Sequence, residues 1–280
     1  MDCFELNFTK GAVFQPGTVE AFKHLRDEWI SDLNLDNKYL IDWWAGNLCQ
    51  ISYRTEEKIV SELVGKGEFL KGFSSETQYA YICDISGIIF LVFQGSCTPE
   101  DNILDVKFLK KKYSEVGFHR GFLYAADALW EKVQPVIESY NGKVVMCGHS
   151  LGGAIAQIFA SRISVKKLVT FGAPRVAGPE ICELIKSPYT RYINCCDAVP
   201  HLPPKFFGFA HTGETIFIDD KQDLVNQEFL LPKFKASIHY FGSLNWCKPG
   251  LALTRSLTDH SPVNYCQAIA RHLLQKELEK

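Results

Sequence analysis

Neither sign of charge predominates in this chain of 280 residues: 30 Lys and Arg stand against 32 Asp and Glu, a net charge of −2. That balance excludes bulk electrostatic attraction to nucleic acid. No apolar run approaches the ~20 residues that a membrane-spanning helix requires. The opening, Met1-Asp2-Cys3-Phe4-Glu5-Leu6, lacks the basic head and apolar middle of a secretion signal. Ten cysteines are present, yet none form a CxxC pair with zinc spacing. Cys83, Cys147 and the adjacent Cys195-Cys196 fall inside apolar runs that read as strands. Neighbouring strand residues face opposite ways, which suits small buried hydrophobes better than disulfides. The expectation is free thiols in a reducing, cytoplasmic compartment, with no metal or other cofactor required.

What is present is an ordinary globular balance, 46% hydrophobic and 22% charged. With no repeat, linker or low-complexity tract, residues 1–280 read as a single domain. Strand and helix patterns alternate. Thr18 to Ile30 has helical spacing, as do stretches from near Trp43 and from Thr55 to Val64. Tyr79–Cys83 and Ile88–Phe93 read as a hairpin turned by Asp84-Ile85-Ser86-Gly87. Gly121–Ile137 reads as a helix with its end kinked at Pro135. Further strands are expected at Lys167–Phe171, Thr190–Cys196 and near Thr215–Ile218. Short and long helices are expected at Pro179–Ile185 and Val263–Leu278. The alternation predicts an α/β fold with a mostly parallel central sheet flanked by helices on both faces.

The chemistry concentrates in Val144-Val145-Met146-Cys147-Gly148-His149-Ser150-Leu151-Gly152-Gly153-Ala154. A buried strand stops at Gly148, and a helix of small apolar residues begins at Leu151. Gly148-x-Ser150-x-Gly152 between them has the spacing of a nucleophile elbow. Such a turn holds its central residue in a strained backbone and packs strand against helix too closely for a flanking Cβ. The helix start also aims free N–H groups at the region beside the serine. A glycine-rich turn in which Ser150 merely caps the helix or touches a phosphate is the plainer reading. The absence of a following lysine disfavours a phosphate-binding loop.

An activated serine needs a base, and the base needs a group that holds its tautomer. Asp197 follows a strand at its carboxyl end, and His260 sits in a loop ahead of the last helix, giving the order serine, acid, histidine. Rival bases are His119, His201 and His211 in loops; His24 and His272 read as surface helix residues, and His239 as structural. His149, beside the serine, points to the other side of the elbow and reads as a packing or hydrogen-bonding residue. Asp219, Asp220 and Asp259 are the rival acids. For the oxyanion, one N–H comes from Leu151 and a second from the turn Gly95-Ser96, with the Ser96 hydroxyl in addition.

Taken together, Phe93-Gln94-Gly95-Ser96, Phe118-His119-Arg120-Gly121-Phe122, the elbow, Thr170-Phe171-Gly172-Ala173-Pro174-Arg175-Val176, Asp197-Ala198-Val199-Pro200 and Asp259-His260-Ser261-Pro262-Val263-Asn264-Tyr265 resemble the class 3, fungal-type lipase family. The resemblance implies an α/β-hydrolase fold, a triad Ser150, Asp197 and His260, an oxyanion hole from Ser96 and Leu151, and hydrolysis of carboxylic or lipid esters without a metal. Two departures stand out. The lid-equivalent segment Thr98 to Asp105 carries Ile103 and Leu104 but no aromatic, and Gln94 replaces an arginine common in the family. Other readings keep the triad but change the substrate, to a phospholipid or a non-lipid ester, or take the fold as an inactive binding module. Lys107, Lys110, Lys111 and Lys112 could rest on a membrane or lipid-droplet surface, although a charge run of this kind is usually a solvated face. Phe234, Tyr240, Phe241 and Trp246 are candidates to line an acyl groove.

Overall fold

The structure, a computed structural model, describes residue 7 and residues 9–96, 110–113, 116–226 and 256–279. The lid-equivalent segment, Lys107, His239 and the candidate groove residues Phe234 to Trp246 lie outside the described residues, as do the side chains of Lys110 to Lys112.

Eight strands form one sheet in the order β1-β2-β3-β6-β7-β8-β9-β10. They are β1 Glu68–Ser74, β2 Tyr79–Ile85, β3 Ile88–Phe93, β6 Val144–His149, β7 Lys167–Phe171, β8 Tyr189–Asn194, β9 Glu214–Ile218 and β10 Leu224–Asn226. The run β3-β6-β7-β8-β9 is parallel, and antiparallel strands close both margins. A separate hairpin pairs β4 Lys110–Tyr113 with β5 Val116–His119.

Period-two alternation divides the core. Tyr81, Cys83, Phe90, Val92, Val145, Cys147, Val169 and Phe171 face one layer, which the helices Lys38–Ile51 and Pro262–Leu278 cover through Trp43, Trp44, Leu48, Tyr265 and Ile269. Ala80, Ile82, Leu91, Phe93, Val144, Met146 and Leu168 face the other, covered by the helices Arg120–Glu138 and Leu151–Ala160. The central strands are therefore buried on both faces, as crossover helices require.

Several expectations need correction. The segment Thr18 to Ile30 is not one helix: only Glu28–Ser31 is helical beyond a 3₁₀ turn at Pro16–Thr18. Phe22 and His24 take positive φ, at 56° and 74°. Backbone groups that a helix would use internally bond to the Lys38–Ile51 helix instead. Phe22 N–H donates to Asn47 Oδ1, and the Val19 and Glu20 carbonyls accept from Gln50 Nε2. The helix expected over Gly121–Ile137 is present as Arg120–Glu138, with Pro135 inside its last turn. His24 accordingly lies off any helix, and His272, half-buried, meets Tyr39 edge-on with ring centroids 4.4 Å apart. Strand β8 stops at Asn194, so Cys195 and Cys196 occupy a turn beyond it and do not point to opposite sheet faces. Strand β1 escaped the sequence reading because its burial barely alternates.

Candidate active site

Ser150 follows the last residue of β6 and precedes the first of the Leu151–Ala160 helix, with φ 55° and ψ −125°. For a residue with a Cβ that backbone is strained by on the order of 1–3 kcal/mol. Two backbone bonds impose it: Ser150 N–H to Phe171 O at 3.0 Å, and Ala154 N–H to Ser150 O at 3.2 Å. The flanking glycines are sterically required. A Cβ on Gly148 would lie 2.3 Å from the Gly152 carbonyl carbon, and one on Gly152 would lie 2.1 Å from the Phe93 carbonyl oxygen. The second contact presses the helix start against the end of β3, where the chain continues through Gln94-Gly95-Ser96. Gly95 is equally confined, 2.8 Å from the His149 carbonyl oxygen at its would-be Cβ. Leu151 and Ser96 thus come from two segments packed against one another. Gln94 donates through Nε2 to the Ser52 carbonyl.

Asp197 and His260 meet at a second corner. His260 Nδ1 lies 2.9 Å from Asp197 Oδ2 and 3.1 Å from Oδ1. Both residues are buried. Asp197 also accepts the Tyr265 hydroxyl at 2.6 Å and the Val199 N–H at 2.9 Å. Burial first, and then the Asp197 charge, push the Tyr265 hydroxyl well above its ordinary pKa, so it stays protonated and donates. The same oxygen accepts Asn194 N–H at 3.0 Å, while Asn194 Nδ2 donates to Asp259 O at 3.0 Å. Gly172, at φ 58°, leaves room for the pair: a Cβ there would stand 2.7 Å from Asp197 Oδ2 and 2.9 Å from His260 Nδ1.

His149 ties the two corners together. Its Nε2 lies 2.6 Å from the His260 carbonyl, which can only accept, so Nε2 carries the hydrogen. Burial, and secondarily His260, push its pKa well below the imidazole norm. The ring is therefore neutral, and Nδ1 accepts the Tyr53 hydroxyl at 2.7 Å. His149 is thus the hydrogen-bonding residue expected from the sequence, but its ring sits between Tyr53 and His260 at the cavity that Ser150 borders and does not point away from it. The roles of Tyr265, Tyr53, Asn194 and Gly172 were not read there. Tyr265 lay inside a family-like segment, five residues after His260, but no spacing rule announces a hydroxyl aimed at Asp197.

Ser150, His260, Ser96 and His149 border one cavity of about 280 Å³. Val13, Pro16, Thr18, Tyr53 and Leu257 supply much of its wall, and Arg54 and Lys58 lie at one side. Among the described residues, the rival bases lie elsewhere. His119 Nδ1 caps the Arg120–Glu138 helix by accepting from Phe122 N–H, and His211 bonds to the Pro200 carbonyl. His201 does not border the cavity, nor do Asp219 and Asp220. Asp259 approaches the Cys196 N–H, not the His260 ring.

Residues 90–207 match the family model described as Lipase (class 3). The lipase of Rhizomucor miehei is 36% identical over 157 residues, 49% of this chain and 43% of that protein. The lipase of Rhizopus niveus is 33% identical over 165 residues, 52% of this chain and 42% of that protein. These curated relatives are thus matched over less than half of their length. Among solved structures, the Rhizomucor miehei lipase–propeptide complex superposes with TM-score 0.56 at 27% identity, over 66% of this chain and 70% of that one. A triacylglycerol lipase described as having a serine-protease triad superposes with TM-score 0.55 at 27% identity, over 70% of this chain and 82% of that one. The sheet order, the strained serine between two obligatory glycines and these likenesses converge: the fold is that of the α/β-hydrolases, and residues 90–207 carry the likeness to the class 3, fungal-type lipases.

Proposed function

We propose that the protein is a serine hydrolase of lipid or other carboxylic esters, with Ser150 as nucleophile, His260 as base and Asp197 as the group that orients the imidazole. The observation that carries this reading is the opening of Ser150 and His260 onto one cavity while His260 Nδ1 is held 2.9 Å from Asp197. With Nδ1 committed to Asp197, Nε2 is the ring nitrogen left for the serine proton. Ser150 Oγ attacks the ester carbonyl as His260 takes its proton. The tetrahedral oxyanion is held by Leu151 N–H, at a helix start that has donors to spare, and by Ser96. His260 then protonates the departing alcohol. Water, deprotonated by the same imidazole, releases the acid and restores Ser150. No step requires a metal.

A fluorophosphonate probe tests the reading, because only an activated serine is phosphonylated. Labelling at Ser150, together with hydrolysis of a p-nitrophenyl ester, is expected. An unlabelled, folded protein would return the chain to an inactive binding module. The cations Arg54 and Lys58 beside the cavity favour an ester with an anionic head group as a second reading. Faster turnover of a phospholipid than of the matching neutral glyceride is its test. The proposed compartment is the cytoplasm, supported by the free thiols of Cys49, Cys83, Cys147, Cys182 and Cys266.

A further inference from the structure

The turn after β8 gathers three metal-competent side chains outside the cavity. The Cys195 and Cys196 sulfurs and an Asp259 carboxylate oxygen all lie within 4.8 Å of one another. The two Sγ atoms are 3.6 Å apart. We propose that Cys195, Cys196 and Asp259 bind a soft divalent cation of the zinc or cadmium type, and that its capture slows the neighbouring hydrolytic site.

The spacing argues for an ion. Two thiolates bonded at about 2.3 Å to a tetrahedral centre sit roughly 3.8 Å apart, close to the separation already present. A disulfide would require closure to about 2.05 Å. Two sulfurs with one carboxylate suit zinc or cadmium and not magnesium or calcium, which take oxygen ligands. Water would complete a fourth position. Packing accounts for the sulfurs, Cys195 in a cluster with Ile193 and Phe217 and Cys196 against that cluster. It does not account for a buried carboxylate beside both of them.

The link to turnover follows from the chain. Cys196 precedes Asp197, and Asp259 precedes His260. Cys196 N–H donates to Asp259 Oδ2 at 2.8 Å, and Asn194 Nδ2 holds the Asp259 carbonyl. An ion that takes the Asp259 carboxylate competes with the first of these bonds, and so pulls on both residues of the acid–imidazole corner. Binding does not depend on the proposed hydrolysis; the slowing does.

The test uses the full chain with its thiols reduced. Cadmium ion is titrated in while thiolate-to-cadmium charge-transfer absorption and proton release are followed, since bound cysteines must deprotonate. One equivalent is expected, displaceable by zinc, with ester turnover lost in parallel and restored by a chelator. Cys195→Ser combined with Cys196→Ser should lose the absorption and keep its turnover in zinc. Asp259→Asn retains an acceptor for Cys196 N–H and should weaken cadmium binding on the order of tenfold or more. An undiminished band in the double variant would place the ion on other cysteines and overturn the site. Should that variant not fold, Cys196→Ser alone must weaken binding at least tenfold, and unchanged affinity overturns the proposal equally. Binding as described with turnover indifferent to zinc overturns the coupling alone. Binding in a protein that hydrolyses no ester supports the site while the hydrolase reading fails.

Discussion

The serine corner and the acid–imidazole corner are built by different means. The first is mostly local: five consecutive residues, two glycines that permit close approach, and backbone bonds to Phe171 and Ala154 fix Ser150. The second is assembled from far-apart segments. Asp197 and His260 are 63 positions apart and are joined by hydroxyl, amide and carboxylate contacts through Tyr265, Asn194 and Asp259. Sterics hold one and polar satisfaction holds the other, so they should fail differently under substitution.

The largest effect expected is chemical. Ser150→Ala should lower p-nitrophenyl ester turnover on the order of 10⁴ to 10⁶-fold, with an unchanged far-ultraviolet circular dichroism spectrum. Retained turnover would remove the serine corner from the reaction.

Next comes steric failure. Gly152→Ala forces a methyl to 2.1 Å from the Phe93 carbonyl oxygen and should cost about 3 kcal/mol or more. Gly87→Ala, at φ 81° in the β2–β3 turn with nothing within 4 Å of its Cβ, should cost only about 1 kcal/mol. Denaturant midpoints compare the two. Equal losses would mean that close approach is not what fixes the elbow.

The polar corner should yield more gently. Tyr265→Phe removes one donor to Asp197 and should cost about 1–3 kcal/mol of stability and roughly tenfold in kcat, on the scale of a lost supporting hydrogen bond. A kcat fall without a matching change in KM would identify a positioning effect.

The smallest effect is in pH dependence. His149 is held neutral in the fold by burial, whereas in the unfolded chain it gains a proton below about pH 6.5. The unfolded state then binds more protons, so stability declines as pH drops below 6.5, by up to about 1.4 kcal/mol per unit for this one group. His211, also depressed by burial, adds to the slope. His149→Gln should remove one proton's share, measurable by denaturation between pH 5 and 7. An unaltered slope would mean that the bridge between the corners is not maintained by a neutral ring.

Legibility in the sequence follows the same division. The elbow was readable because its constraint is written in adjacent residues, and the buried strands β3, β6 and β7 because their apolar runs have no other solution. Asp197 and His260 were readable by their order along the chain. The hydroxyl of Tyr265 was not, since a tyrosine at helical spacing looks the same whether or not its oxygen finds a carboxylate. The false helix over Thr18 to Ile30 had correct apolar spacing. Asn47 and Gln50, from a later helix, took its backbone groups instead, and no local pattern carries that competition. Cys195-Cys196 was misread for a related reason: the strand ends where Asn194 turns its side chain onto Cys195 N–H.

His260 lies at the end of a short helical stretch, residues 256–260, and not in the loop expected from the sequence; this stretch and the helix after it are stitched to the opposite end of the sequence. Ser261 Oγ donates to Ala12 O at 2.6 Å, and Asn264 Oδ1 accepts Asn7 N–H at 2.8 Å. Contacts across some 250 positions are the last that loop-closure entropy favours. A refolding chain is therefore expected to regain its sheet before its imidazole is docked. In stopped-flow refolding, the far-ultraviolet signal should recover ahead of ester turnover. Simultaneous recovery would mean that the two ends meet early, as part of the nucleus.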